Sequence, residues 1–274
     1  MVGGRGEGVN LETHVESTIA AGLRTRTPTL PWWTRAGFAL VPPRCLLCGG
    51  DGDLGAVDLC GCCLGTLPFA SHASYAPASP RLRATFAPFI YRDPVGSGLR
   101  ALKFHGDQRP ARLFGTLLAA AVAVDRAGVA DAAPVVALLP VPLHPARHAE
   151  RGFNQAAAIA RHAGRWLGLP VRERWLARRR ATRPQTGLSG AERRRNLVDA
   201  FVATPALREA VARSCRAEGA FGRIALVDDV LTTGATVAAA RAALLAAGVP
   251  TVEVWTVARA LPGREGADQD ARSA

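Results

Sequence analysis

The chain has 274 residues, 49% of them apolar, which is enough for one α/β domain of roughly 150–200 residues plus a smaller module and excludes global disorder. Its net charge of +12 comes almost wholly from arginine and favours polyanionic partners, either a phosphorylated substrate or nucleic acid. Composition does not choose between those two, and an arginine-rich proteome would explain the charge equally well. No run reaches the ~18 consecutive apolar residues of a membrane span. The longest candidate, Leu113–Val124, is interrupted by glycine and threonine and reads as a core helix. With no signal-peptide core at the N-terminus, a cytoplasmic location without membrane insertion is expected, and a disulfide framework is not.

Residues 1–30 are polar and weakly periodic and read as a disordered leader or an over-extended start. Pro31–Pro43 carries Trp32, Trp33 and Phe38, candidates to pack on whatever the cysteines build. Cys45-x-x-Cys48 and Cys60-x-x-Cys63 follow, with eleven residues between the pairs. Two knuckles at this distance can wrap one tetrahedral Zn²⁺ with four thiolates, and a closed Cys₄ site leaves no open position for water, so its role would be structural. Gly49, Gly50 and Gly61 suit the tight turns; a redox dithiol or a metal-free cluster remain as alternatives. Cys62, inside the second knuckle, is an extra thiol that could compete as a ligand. The module is bounded at 36–76 and followed by a linker at Pro77–Pro80. Ala84–Tyr91 then reads as a strand, and Val95–Phe104 and Pro110–Ala127 as helices.

Val135–Leu139 is a short apolar strand. The prolines of Pro140-Val-Pro-Leu-His-Pro145 stiffen the loop after it, Pro142 among them. His144 reads as a solvent or capping residue. Asn154 can cap a helix over Gln155–Leu167, with Ile159, Ala163, Trp166 and Leu167 on one face. Arg147 and Arg151 then fall near a helix N-terminus, an anion-friendly position, the plain alternative being a turn with surface arginines. A polar, arginine-rich excursion over Ala177–Arg195 holds Gln185 and Arg193, with Asn196 just beyond. A loop of that length is usually functional or disordered. Closure over a site would bring arginine to bound phosphates; otherwise it is a solvated basic loop. Asn196–Ala203 returns to an extended pattern. Pro205–Arg216 is a helix whose Cys215 reads as buried or half-buried.

Arg223–Ala240 is the most informative stretch. A buried strand, Ile224–Val227, ends in the paired acids Asp228 and Asp229, and a turn, Leu231-Thr232-Thr233-Gly234, leads into a helix over Thr236–Ala247. Thr251–Val257 is a further strand, and residues 263–274 read as a disordered tail. Strand–helix alternation over 84–260 implies a parallel sheet covered by helices on both faces, with ligands beyond the carboxyl ends of the strands. At such an end, a helix N-terminus holds an anion and carboxylates accept bonds from hydroxyls, a combination that suits a sugar phosphate. The turn lacks the P-loop lysine, and no dinucleotide fingerprint is present. It resembles the PRPP-binding motif of type I phosphoribosyltransferases. That resemblance implies Asp228 and Asp229 as the catalytic acids that hold the ribose diol, and Leu231, Thr232, Thr233, Gly234, Ala235 and Thr236 as the 5′-phosphate turn. It also implies that the loop carrying Pro142, Arg147 and Arg151 meets the pyrophosphate.

The ordered set of motifs resembles the ComF family: the Cys₄ knuckles, Leu102-Lys-Phe-His-Gly106, Pro140-Val-Pro142 with Arg151-Gly-Phe-Asn-Gln155, Thr182-x-x-Gln185 with Arg193-x-x-Asn196, and Val227–Thr236. The resemblance spans roughly residues 36–260. It implies a zinc-ribbon-like module fused to a type I phosphoribosyltransferase-like domain, PRPP and Mg²⁺ as ligands, and a link to natural transformation, the uptake of single-stranded DNA. One expectation is an enzyme of the glycosyltransferase class with an unnamed acceptor, whose leaving pyrophosphate meets Arg151 and either Lys103 or Arg193. The other is a non-catalytic factor on the same fold that binds single-stranded DNA and DNA-uptake proteins. Residue 2 is Val2, so the glutamine-hydrolysing chemistry of an N-terminal cysteine is not expected. No residue reads as a general base, and no run interleaves aromatic with basic residues as a stacking groove would.

Overall fold

The computed structural model describes residues 19, 23, 44–52, 57–70, 85–104, 108–126, 134–179, 200–216 and 221–261. In chain order its elements are α1 (Gly61–Gly65), β1 (Thr85–Phe86), β2 (Phe89–Ile90), α2 (Val95–Phe104), α3 (Arg109–Arg126), β3 (Val135–Pro140) and α4 (Pro145–Arg151). Then follow α5 (Gln155–Leu167), β4 (Leu176–Arg178), β5 (Phe201–Ala203), α6 (Pro205–Arg216), β6 (Arg223–Leu231), α7 (Ala235–Ala246) and β7 (Val252–Arg259).

The β-branched and aliphatic runs at 224–227 and 252–257 form the centre of a parallel sheet in which β6 lies between β3 and β7. β1 and β2 both pair with the far edge of β7. They are the expected strand Ala84–Tyr91, cut in two at Ala87-Pro88, because proline has no N–H to give a ladder. β6 alternates between two cores. Ala225 and Val227 meet Phe114, Leu117, Ile159 and Ala163 on the α3 and α5 side, whereas Ile224 and Leu226 meet Leu207, Val237, Ala240 and Leu244 on the α6 and α7 side. Helices thus cover both faces, as the strand–helix alternation implies.

The cysteine segment is packed on this body. Val57, Leu59, Leu64 and Leu67 belong to the same buried cluster as α2 and α3, and Arg112 on α3 bonds the buried Asp58 carboxylate through Nε at 3.1 Å. Phe69 bridges to Phe89, their rings 5.2 Å apart. Ile19 and Leu23, inside the stretch read as a disordered leader, are helical and buried in that cluster. The rest of residues 1–30 lies outside the described residues, as do Trp32, Trp33, Phe38, Pro77–Pro80 and residues 263–274.

Candidate functional site

The strand that carries the paired acids does not stop at Val227. β6 runs on to Leu231, with Asp228 in register with Thr256 and Leu231 with Arg259, so the acids lie within the strand and not in the loop. Asp229 N–H bonds Asp228 Oδ1 at 3.0 Å, and Val230 N–H bonds Asp229 Oδ1 at 2.8 Å. Lys103, near the end of α2, places its ammonium 2.7 Å from Asp229 Oδ2, with both side chains mostly buried. Burial draws the Lys103 ammonium down, but Asp229, with Tyr91 and Asp228, more than reverses this and leaves it above the ordinary lysine value. Burial and the adjacent Asp229 charge push the half-buried Asp228 carboxyl up to about 8.

Beyond Leu231 the turn exposes Thr232 and Thr233, and Gly234 takes the left-handed conformation, φ 72°, that a side chain would resist. Gly234 is the N-cap of the twelve-residue α7 and has no side chain with which to cap it; Ala235 N–H meets Thr233 Oγ1 at 3.5 Å. The other two long-loop helices are capped: His144 Nδ1 accepts from Ala146 N–H at 3.2 Å, and Asn154 Oδ1 accepts from Ala157 N–H at 3.3 Å. His144 is thus a capping residue, as expected. The loop after β3 lies beside the acids, since Val141 N–H bonds Val227 O at 2.9 Å. Asn154 Nδ2 donates to Val141 O at 3.0 Å and pins that loop to α5. Arg147 and Arg151 stand on a helix of their own, α4, which starts at Pro145 and ends at Gly152 with φ 74°. They do not sit in the turn directly before α5, and both are half-buried together with Pro142.

The sulfurs of Cys45, Cys48, Cys60 and Cys63 lie within 4.8 Å of one another, so these four residues could hold a metal ion. A tetrahedron with metal–sulfur bonds of ~2.3 Å has edges of roughly 3.8 Å, and Cys48 Sγ to Cys60 Sγ measures 3.8 Å. Gly49, φ 75°, turns the first knuckle, and Cys60 caps α1 in the second by accepting from Cys63 N–H at 3.4 Å. Burial pushes the Cys45 thiol up, but the N–H groups of Cys48, Cys60 and Leu47 outweigh it and bring it to about 7. Cys62 is exposed and outside the cluster. Cys215 is exposed rather than buried or half-buried, because the buried contacts of α6 end at Val211, one turn earlier.

Competence protein F of Haemophilus influenzae is 30% identical to this chain over 232 residues, covering 79% of the chain and 97% of that protein. The chain belongs to the ComF family. Among other relatives, the DNA utilization protein YhgH of Salmonella typhi is 33% identical over 171 residues, covering 62% of the chain and 70% of its own length. The protein of that name from Escherichia coli K12 is 37% identical over 125 residues, 45% of the chain and 49% of its own length. No family model matches the chain.

Of the ComF-like motifs, the acids, the threonine turn and the proline loop are brought together at one end of the sheet. The loop residues Gln185, Arg193 and Asn196 lie outside the described residues. Sequence reasoning overlooked Arg178. It stands on β4, with its guanidinium 5.4 Å from the Phe201 ring centroid. β4 and β5 share a core with Val141, Leu231 and Val237, so this hairpin is packed on both loops of the site. Burial first, then the charge of Arg147, hold Arg178 below the ordinary arginine value, and Asp228 opposes them. An arginine in an arginine-rich run carries no local signal that would single it out. No helix among the described residues is long and apolar enough to cross a membrane.

Proposed function

We propose that this ComF-family chain binds PRPP with Mg²⁺ at the end of β6, carries a structural Zn²⁺ on Cys45, Cys48, Cys60 and Cys63, and serves the handling of DNA in natural transformation. The observation that carries the ligand assignment is the N-terminus of α7, reached through a turn that exposes Thr232 and Thr233 just after two carboxyls on a central parallel strand. In this reading the turn from Leu231 to Thr236 receives the 5′-phosphate and the acid pair receives ribose hydroxyls. Arg147, Arg151 and Arg178 face the diphosphate, whose oxygens are natural ligands of Mg²⁺. Displacement of pyrophosphate at the anomeric carbon by an acceptor nucleophile is the reaction such a site would carry, and the chain's part in it is positioning and electrostatic stabilisation of the leaving group. The physiological role rests on the names of the relatives, a competence protein and DNA utilization proteins.

Exposed hydroxyls can be removed with little effect on stability, usually within about 0.5 kcal/mol. Thr232→Ala and Thr233→Ala together should therefore weaken PRPP binding about tenfold or more while lowering the melting temperature only slightly, through loss of the Thr233 Oγ1 bond to Ala235 N–H; unchanged affinity would count against the turn as a phosphate site.

A second reading, a non-catalytic factor for single-stranded DNA, is favoured by one feature. Arg172 lies 5.5 Å from the ring of Trp175, three residues on, and folding brings the distant Phe221 to 6.1 Å from Trp175. Such pairs can stack bases, and binding by them would fall steeply with salt.

A further inference from the structure

The buried polar side chains among the described residues are Asp58, Gln155, Glu253 and Thr256. Asp58 and Glu253 are held by arginine, whereas Gln155 Nε2 and Thr256 Oγ1 meet no hydrogen-bond partner. An orphaned buried donor is costly, and native interiors rarely keep one without a use for it. At Thr256 the cost is also avoidable. The residue is fully buried within β7, where valine would have nearly the same shape, suit a strand as well, and leave nothing to satisfy.

Its place in the sheet supplies the use. β7 is parallel to β6, and Thr256 stands in register with Asp228, as Val254 does with Leu226 two residues earlier. Val254 and Leu226 both pack on the α6 and α7 side, so Thr256 and Asp228 project from that same face, on strands ~4.8 Å apart. The ammonium of Lys103 is taken up by Asp229. Asp228 has Oδ1 on the N–H of Asp229 at 3.0 Å, which leaves room on a carboxylate for further donors. Burial and the Asp229 charge push Asp228 up to about 8, so at neutral pH it keeps a proton and needs no second donor; an ionised Asp228 would. We propose that Thr256 is a positioning residue of the site, whose hydroxyl turns by one rotamer to donate to Asp228 when the acid pair accepts the hydroxyls of a sugar phosphate. This rests on the sugar-phosphate reading above. Thr256 does not touch the ligand; it holds the carboxyl that does, and a donor kept for that form of Asp228 has no partner otherwise.

The test is calorimetric titration of PRPP with Mg²⁺ into the full chain and into Thr256→Val, Thr256→Ser and Thr256→Ala, with Asp228→Asn alongside and melting temperatures taken on the same samples. The parent and Thr256→Val differ chiefly in the hydroxyl, as do Thr256→Ser and Thr256→Ala. Within each pair the member without the hydroxyl should bind about tenfold more weakly, the usual worth of a hydrogen bond to a charged group, yet melt no lower than its partner. Thr256→Ser should stay within about threefold of the parent. Thr256→Val binding as tightly as the parent would overturn the inference. So would Thr256→Ser as weak as Thr256→Ala, or a weak Thr256→Val that also melts several degrees lower, since either makes Thr256 a packing residue. If Thr256→Val does not fold, the comparison of Thr256→Ser with Thr256→Ala still decides. A parent chain that does not bind, or Asp228→Asn binding as well as the parent, would instead overturn the sugar-phosphate reading on which the inference stands.

Discussion

Asp228 keeps a proton at neutral pH that an ordinary carboxyl would have lost. Burial and Asp229 raise it to about 8, against the pull of Lys103 and of the Asp229 N–H, and Arg178 lies within reach of its charge. An unfolded aspartate titrates near ~3.9. Between that value and about 8 the folded state binds the extra proton, so the contribution of Asp228 to stability is full in acid and is lost as the pH rises through about 8. Asp228→Asn has no such loss. Its melting temperature relative to the parent should climb steadily from pH 5 to pH 8 and level off above; a difference that does not vary with pH would contradict this account. The acid pair itself was legible in the sequence, because the motif is contiguous. Its ionisation was not, since Lys103 and Arg178 come from distant segments that only the fold brings together. The cysteine cluster was legible for the opposite reason: all four residues sit in two local knuckles, and the structure brings together Cys45, Cys48, Cys60 and Cys63 and leaves Cys62 out.

Helices with local stop signals were read to the residue. α5 runs from the Asn154 cap to Gly168, φ 71°, and α2 spans Val95–Phe104 as its periodicity predicts. α4 escaped notice because it is seven residues long and begins at Pro145, a residue that reads as a loop stiffener but fits the first turn of a helix. β6 was read short, because charged residues were taken as the strand's end, whereas pairing with Thr256, Ala258 and Arg259 carries it on to Leu231. The apolar face of α5 was legible from Ile159, Ala163, Trp166 and Leu167, but the helix it meets was not. α3 and α5 meet at Gly115, where an added Cβ would stand 2.6 Å from Ile159 O and 2.7 Å from His162 Cβ. The obstacle is partly backbone and cannot swing aside. Gly115→Ala should therefore cost about 1–3 kcal/mol, read from the denaturation midpoint, in spite of alanine's better helix propensity. A stabilised variant would show that the two helices are free to separate.

At the scale of the molecule, the Cys₄ module and the sheet are joined through one core. Leu59, Leu64 and Leu67 pack with α2 and α3, and Asp58 is tied to Arg112. α2 in turn carries Lys103 to the acid pair. Stripping the metal proposed at the cysteines should therefore lower a single cooperative unfolding transition by more than about 5 °C, and not melt the module alone; two separated transitions would contradict the shared core. At the opposite end of the sheet, Glu253 bonds Arg126, Arg223 at 3.0 Å and Trp255 Nε1 at 3.1 Å. The central claim is that the end with the acids and the threonine turn is a live sugar-phosphate site. Calorimetric titration of the metal-loaded full chain with PRPP and Mg²⁺, alongside Asp228→Asn, tests it most directly. The account predicts micromolar binding by the parent that disappears in the variant. A folded, metal-loaded parent that gives no binding heat, or a variant that binds equally well, would contradict it.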